Sequence, residues 1–172
     1  MIIVIRPNEG TPIDLTILKS VLPVGSYPSQ TILETWIKVA VQWVEMRLNQ
    51  AFLTQDIQII SRNNRIPLSR TPFVQILKVE KKGKLLSQSQ YTLKKNSSGL
   101  EELIVPFQWN SPSISVEYRA GYGETFESVP IVFRQIIMNT VKHLCENAGN
   151  LTELNKTLEP WLAESQRAYR LW

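Results

Sequence analysis

The spacing of apolar residues changes from a helical period to a strand period within this sequence, and that change constrains the fold more than any other feature. Over residues 32–48 apolar side chains recur every three to four positions, and no Gly or Pro interrupts them. The positions that recur at this spacing are Ile32/Leu33, Trp36/Ile37, Ala40, Trp43/Val44 and Arg47/Leu48. This pattern predicts one long amphipathic helix whose stripe is wide enough to pack on two sides.

From residue 52 to residue 119 the period becomes two, which is typical of half-buried strands. The segments with this pattern predict four to six short strands, at residues 57–61, 73–80, 85–86, 91–94, 103–105 and 114–118. Lys82-Gly83-Lys84 is predicted to turn a hairpin, and residues 96–99 and 110–112 carry further turn residues. Because no helical pattern separates the strands, antiparallel pairing is favoured.

The segment before the long helix predicts a short strand and a short helix. Residues 2–5 are apolar and β-branched, as in a strand. Asp14 can cap a helix whose residues Leu15, Leu18, Val21 and Leu22 lie on one side. Thr31 and Glu34 have capping-box spacing, which predicts that the long helix begins there.

After the strands, the sequence returns to a helical pattern. Pro130 suits the first turn of a helix, and Asn147-Ala148-Gly149 suits its end. The apolar positions between them are Ile131, Phe133/Arg134, Ile136/Ile137, Val141, Leu144 and Cys145. A last helical segment is expected to begin near Glu159-Pro160.

The order of segments predicts an α+β fold: N-terminal helices, a central small antiparallel sheet with a hairpin, then C-terminal helices. With 172 residues, the chain is expected to form a single domain, with helices over about 12–50, strands over about 52–120 and helices over about 129–171. No apolar run is long enough to span a membrane, and MIIVIRP does not resemble a signal peptide. Synthesis in the cytosol is therefore expected.

Few residues could support catalysis or bind a metal. The chain has one cysteine, Cys145, and one histidine, His143, which lie two apart and so face different ways on a helix. Cys145 is interpreted as a small buried apolar residue and His143 as a helix-surface residue. Glu101 and Glu102 are adjacent, so on a strand they point to opposite faces. We expect no enzyme activity, no catalytic residue, no cofactor and no bound metal.

The segment EYRAGYGETFESVP contains two glycines between a predicted strand and a predicted helix, where a phosphate-binding loop could lie. A dinucleotide loop needs a third glycine, and Phe126 occupies that position. Glu124 and Glu127 would also repel a phosphate. We therefore interpret Gly121, Gly123 and Pro130 as residues of a structural turn, with Tyr122 packed inward or available for a contact.

Basic residues are concentrated in the middle of the chain. Residues 57–100 contain nine basic residues and one acid, a net charge of +8 against +4 for the whole chain. The nine are Arg62, Arg65, Arg70, Lys78, Lys81, Lys82, Lys84, Lys94 and Lys95. Two interpretations stay open: the six lysines form a surface for nucleic acid or an acidic partner, or they form a solvated hairpin whose lysines protect sheet edges. The first would make region 62–95 a DNA-binding module.

Five segments, in this order, carry a resemblance to a known family: IDLTILKSVL, WVEMRLNQAFLTQDIQI, RIPLSRTPFVQILKVEKKGKLL, ISVEYRAGYG and VPIVFRQIIMNTVKHLCEN. Together they resemble the head–tail connector (adaptor) proteins of long-tailed bacteriophages and their relatives in gene transfer agents, over residues 13–170. One departure is Cys145-Glu146-Asn147-Ala148, where the family often has Tyr-Glu-Asn-Arg.

The resemblance implies a structural role in the neck of a phage, prophage-encoded or phage-like particle, assembled in the bacterial cytoplasm. Such subunits form a ring beneath the portal protein, twelvefold in the particle, and can be monomeric in isolation. The ring extends the DNA channel, lets double-stranded DNA pass without specific binding, and docks the next head-completion or tail protein. No membrane partner is implied.

Aromatic and arginine side chains are the usual anchors of such interfaces. The candidates for contact with the portal or a neighbouring subunit are Trp161, Tyr169, Arg170, Trp172 and Tyr122. An alternative for Trp161 is that it covers the core of its own helical bundle.

Overall fold

The computed structural model describes residues 1–22, 29–106 and 113–152, together with Lys156 and Leu162. The chain divides into two compact units, each built from two stretches of sequence. A sheet unit contains Met1–Glu9 and Leu53–Tyr122, and a helical unit contains Gly10–Phe52 and Gly123–Trp172. The α+β fold class is confirmed. A single domain over residues 1–172 stays a prediction.

The helical unit begins with helix α1, Leu15–Val21. Asp14 caps it as predicted: its Oδ1 accepts hydrogen bonds from the backbone N–H groups of Thr16 at 2.7 Å and Ile17 at 3.3 Å. The predicted apolar side is partly wrong, because Leu15 and Val21 are exposed. Leu18 of the helix is buried, and so is Leu22, the extended residue that follows its last turn.

The long helix α2, Gln30–Leu48, is confirmed, but its predicted capping box is wrong. The N-cap is Ser29, which makes no side-chain cap hydrogen bond, so Thr31 and Glu34 lie inside the helix. The backbone carbonyl of Thr31 accepts a bond from the Thr35 hydroxyl at 2.8 Å. A capping box needs its Thr in the non-helical position before the first turn, and the helix begins two residues too early for that.

One face of α2 is buried. The buried residues are Leu33, Ile37, Ala40, Val44 and Leu48. The stripe is narrower than predicted, because Ile32 is exposed and both Trp36 and Trp43 are half-buried. Asn49 ends the helix with a φ of +52°.

Helix α3, Ile131–Glu146, packs against α2. Its N-cap is Pro130, one residue before the helical position that was predicted. The buried residues are Phe133, Ile136, Ile137, Thr140, Val141 and Leu144. Ile131, predicted to lie on this apolar side, is exposed. Asn147 caps the end of α3, and Gly149 follows with a φ of +80°, as predicted for this terminus.

The sheet unit contains eight strands among the described residues. They are β1 (Ile2–Arg6), β2 (Gln55–Ser61), β3 (Arg65–Pro67), β4 (Phe73–Lys81), β5 (Lys84–Leu85), β6 (Thr92–Lys95), β7 (Glu101–Ile104) and β8 (Ile114–Ala120). They form a five-stranded sheet in the order β1-β2-β8-β4-β5 and a three-stranded sheet in the order β3-β7-β6. Every pairing is antiparallel, as predicted.

The core of the five-stranded sheet is built around β8. Ile114, Val116, Tyr118 and Ala120 point to the buried face, and Ser115, Glu117 and Arg119 point to the other. Ile57 and Ile59 of β2 and Val79 of β4 extend the buried face on either side. This alternation is the period of two that predicted the strands.

One of the two predicted turns lies within the described residues. Asn96 organises the predicted turn at residues 96–99, because its Oδ1 accepts bonds from the N–H groups of Ser98 and Leu100 at 2.9 and 3.0 Å. The predicted turn at 110–112 lies outside the described residues, as does most of the segment after residue 152.

No described helix is long and apolar enough to cross a membrane.

Candidate functional site

The AGYG loop follows β8 directly, and Gly121 is held there by close backbone contact. Gly121 has a φ of +136°, and its N–H donates to the carbonyl of Pro72 at 2.9 Å. A Cβ at this position would lie 2.5 Å from Thr54 Cα and 2.6 Å from the Leu53 carbonyl oxygen. Only glycine fits this position.

Gly123 and Pro130 complete the change of direction from β8 to α3. Gly123 has a φ of +156°, and a Cβ there would lie 2.5 Å from Ser128 Oγ. A short 3₁₀ turn, Phe126–Ser128, follows it. The carbonyl of Pro130 then accepts bonds from the N–H groups of Phe133 and Arg134 at 3.0 and 3.2 Å. Gly121 and Gly123 thus have positive φ and Pro130 is the N-cap of α3, while the Gly121 N–H already has a protein partner.

The aromatic interface candidates are only partly described. Tyr122 is half-buried and is the last residue of the sheet unit. Trp161, Tyr169, Arg170 and Trp172 lie outside the described residues. Their role in binding stays a prediction.

The first group of basic candidates lies on the β4–β5 hairpin. Lys82 and Gly83 form its turn with φ values of +54° and +72°, and Lys81 lies opposite Lys84. Lys78 Nζ is 2.9 Å from Glu80 Oε1. This hydrogen bond raises the pKa of Lys78. Lys82 and Lys84 project into solvent at the tip.

Lys94 and Lys95 belong to the other sheet. Both lie on β6, where Lys94 is opposite Glu102 and Lys95 is opposite Glu101 on β7. Glu102 also approaches Arg65, with an N–O distance of 3.6 Å. Opposite charges on facing strands neutralise each other at short range. The basic middle of the chain is thus divided between two sheets, and the acids just beyond it offset part of its charge.

Reversing the charge of the hairpin should leave the fold intact. We expect Lys81→Glu, Lys82→Glu and Lys84→Glu together to change the free energy of unfolding by about 0.5 kcal/mol per site or less, because surface substitutions rarely do more. Urea denaturation followed by circular dichroism checks this. Loss of the folded baseline would show that these lysines stabilise the sheet.

The structure also contains a buried ion pair that the sequence analysis missed. Arg119 Nε donates to Asp56 Oδ1 at 2.7 Å, and Arg119 Nη2 donates to Asp56 Oδ2 at 3.1 Å. The Asp56 side chain is 9% exposed and that of Arg119 is 32% exposed. The hydrogen bond from Arg119 lowers the pKa of Asp56, burial opposes that shift, and the charges of Arg119 and Arg6 add to it.

Tyr118, on the buried face of β8, contacts the segment that precedes β4 and the first residue of β4. Its side chain is fully buried, and its hydroxyl accepts a bond from the backbone N–H of Arg70 at 3.1 Å. Burial raises the pKa of Tyr118 to about 12. Its ring stacks on Phe73, with centroids 6.3 Å apart. Tyr118 and Arg70 lie 48 residues apart in the sequence, and Arg119 and Asp56 lie 63 residues apart. Local spacing in the sequence therefore could not predict either contact.

The single cysteine and histidine lie on α3. Cys145 is half-buried rather than fully buried, and burial raises the pKa of its thiol. His143 lies one turn before Asn147, whose side-chain amide donates to the His143 carbonyl at 2.9 Å. Among the described residues, no three His, Cys, Asp or Glu side chains are grouped so as to hold a metal ion.

No family model matches this sequence, and no curated protein matches it. Its structure, in contrast, is similar to chains of solved gene transfer agent particles. A chain in the virion of a native gene transfer agent particle has a TM-score of 0.69 and 13% sequence identity, covering 85% of this chain and 84% of that one.

Two structures of the particle neck give comparable matches, each with a TM-score of 0.68 and 12% identity. One is the neck of a native particle computed with C12 symmetry, covering 85% of this chain and 83% of that one. The other is the neck of an empty particle computed with C6 symmetry, covering 85% and 84%. The resemblance found in the sequence is therefore confirmed at the level of the fold: this chain has the fold of a chain in the neck of gene transfer agent particles.

Proposed function

We propose that this chain is a structural subunit of the neck of a phage or phage-like particle, and within it a head–tail connector. The observation that carries the proposal is a fold match that spans nearly all of both chains, at 85% and 83% for the native neck. A match limited to one small sheet or one helix pair would recur in unrelated proteins. Here the match covers 85% of this chain and 83% of the chain in the native neck.

The proposal includes a ring of identical subunits. The similar neck structures were computed with twelvefold and sixfold symmetry. A cyclic ring uses two different surfaces of each subunit, repeated around the axis. In this proposal the ring has twelve copies in the particle, and the isolated subunit can be monomeric until the portal organises it.

The family resemblance supplies the partners. The ring lies beneath the portal, extends the channel for double-stranded DNA and docks the next head-completion or tail protein. The C-terminal candidates Trp161, Tyr169, Arg170 and Trp172 are assigned to the portal contact, because aromatic residues and Arg anchor interfaces. The experiment that tests this assignment is native mass spectrometry with the cognate portal: a complex of defined stoichiometry is expected, and no complex at any stoichiometry would contradict it.

A DNA-binding module is the competing function, and the charge distribution disfavours it. Lys94 and Lys95 lie opposite acids, and Lys78 is paired with Glu80. Binding through this region would weaken steeply as salt rises, because released counterions drive it. We expect weak binding to a DNA duplex. Tight binding that falls steeply between low and physiological salt would favour the competing function.

Removing residues 168–172 should impair attachment to the portal while sparing the fold. The cut lies beyond Leu162, which is buried and is retained. Interface anchors contribute about 2 kcal/mol or more each, so affinity should fall by roughly 30-fold or more. The measurement is portal binding by native mass spectrometry.

The matched control keeps the chain length and replaces Tyr169 and Trp172 with Ala. It should lose most of the same affinity, since the aromatic side chains rather than the backbone make the contact. Undiminished binding of both variants would remove the C-terminal segment from the portal interface.

A further inference from the structure

Strand β1 exposes a row of apolar side chains at one edge of the five-stranded sheet. Ile2, Ile3, Val4 and Ile5 are consecutive, and their exposed fractions are 50%, 37%, 42% and 44%. Among the described strands, β1 has one hydrogen-bonded neighbour, β2, so its other edge is open. An open apolar edge is a template for a further strand.

The other edges in the described part of the sheet unit carry features that discourage pairing. In the three-stranded sheet, one edge strand, β3, contains Pro67, and the other, β6, contains Lys94 and Lys95. In the five-stranded sheet, β5 has two residues and follows the Lys82-Gly83 turn. Proline, lysine and shortness each protect an edge. Strand β1 has none of these within its four apolar residues.

The opposite side of the five-stranded sheet contains a partly open edge that is also apolar. Strand β5 pairs with β4 at Glu80 and Lys81, which leaves Phe73–Lys78 without a strand partner on that side among the described residues. Val74 and Leu77 have no opposite residue on β8, because the register shifts at each, and they are 49% and 39% exposed. Such bulges bend a strand and limit pairing, so any ladder formed at this edge would be short. Strand β1 has five residues.

The strand directions make these two edges complementary in neighbouring copies. Because β1, β2, β8 and β4 pair antiparallel in that order, β1 and β4 run in opposite directions. A rotation about an axis nearly parallel to the strands leaves the strand directions unchanged. In a ring built around such an axis, β1 of one copy would therefore lie antiparallel to β4 of the next copy. The contact joins two different edges, as a closed ring requires.

We infer that β1 of one subunit pairs with the open part of β4 of the next copy of this chain, so that the five-stranded sheets continue around the ring. This inference rests on the proposed function for its cyclic symmetry. It assigns the contact between subunits to the sheet unit. Pairing of β1 with β1 of a second copy would instead form a closed dimer with twofold symmetry, which cannot extend into a ring.

The test is thiol cross-linking of the full-length chain in purified particles, where the ring is expected to be assembled. Ile3 and Gln75 lie on the same face of the sheet, since Ile3 is opposite Gln58 and Gln75 is opposite Arg119. Ile3→Cys and Gln75→Cys are combined in a Cys145→Ser background and treated with a short bis-maleimide reagent. The control pairs Ile3→Cys with Lys142→Cys, because Lys142 is exposed on α3 and belongs to neither strand.

A ladder of dimers, trimers and higher species is expected from the Ile3/Gln75 pair. Its yield should exceed the control by at least about tenfold, because paired strands hold opposite residues roughly 5 Å apart. Adding Ile5→Lys, at an exposed position, should reduce the ladder to the control level, since a charged edge resists pairing. Circular dichroism confirms that each variant is folded.

Two outcomes would overturn the inference. One is a yield equal to that of the control, and the other is dimer formation by Ile3→Cys alone at the level of the double variant. Cross-linking reports on the contact between subunits and not on their location, so either outcome can occur while the subunit still lies in the particle neck. The location in the neck is tested separately on particles.

Discussion

Gly121→Ala should lower the free energy of unfolding by roughly 2–6 kcal/mol, because it combines backbone strain with overpacking. The φ of +136° is unfavourable for any residue with a Cβ. The added carbon would also meet backbone atoms of Leu53 and Thr54 at 2.5–2.6 Å. Backbone atoms cannot move aside as a side chain can, so β8 or the start of β2 must shift. Urea denaturation monitored by circular dichroism measures the loss.

Gly99→Ala is the matched control for this prediction. Gly99 has a φ of +77°, and nothing lies within 4 Å of the position that its Cβ would occupy. It should therefore lose only about 1–2 kcal/mol, the cost of left-handed backbone in an L-residue. Equal losses from the two variants would mean that the close approach to Thr54 does not constrain Gly121.

Arg119→Met should destabilise the sheet unit by roughly 2–4 kcal/mol, because it leaves the buried Asp56 carboxylate without its bidentate partner. We expect a value near the lower end of the range for buried pairs, since Arg119 is about one third exposed. Methionine keeps much of the apolar stem, so the loss reports mainly on the guanidinium. The measurement is again the free energy of unfolding at neutral pH.

The same variant should show a characteristic dependence on pH. The pKa of Asp56 is below its ordinary value of 3.8 in the folded protein, so the pair stabilises the fold above that pH. Its contribution is lost as pH falls through the lowered folded-state pKa. The difference in stability between the natural chain and Arg119→Met should therefore be largest near pH 7 and shrink below about pH 4.

Lys78→Met is the matched control for the ion pair. The Lys78–Glu80 pair is short, 2.9 Å, but the Lys78 side chain is 41% exposed. Solvent-exposed ion pairs contribute little to stability, so this variant should change the free energy of unfolding only slightly. A loss as large as that of Arg119→Met, or a difference that does not depend on pH, would contradict the role assigned to the Asp56–Arg119 pair.

Local patterns in the sequence predicted the elements whose formation depends on neighbouring residues. The spacing of Leu33, Ile37 and Val44 predicted α2, and the Asp14 carboxylate predicted the start of α1. The Lys82-Gly83 turn predicted the β4–β5 hairpin, because both residues adopt positive φ. Each of these predictions depends only on residues within a few turns of one helix or within one hairpin.

Features that depend on tertiary contacts could not be predicted in the same way. Strand β3 (Arg65–Pro67) has only three residues, too few for an alternating pattern to be recognised, and its pairing with β7 defines it. The Asp56–Arg119 pair and the exposure of β1 depend on which strands become neighbours in the sheet. The start of α2 was misplaced because Thr31 and Glu34 have capping-box spacing but lie inside the helix.

The central claim is that this chain is a ring-forming subunit of a particle neck. Cryo-electron microscopy of purified particles, with imposed and relaxed symmetry, tests it most directly. We predict a ring of twelve copies between the portal and the next neck or tail protein, with the α2–α3 pair and both sheets recognisable in each subunit. Well-resolved neck density that accommodates no copy of this fold, in particles made by cells that express the chain, would contradict the claim.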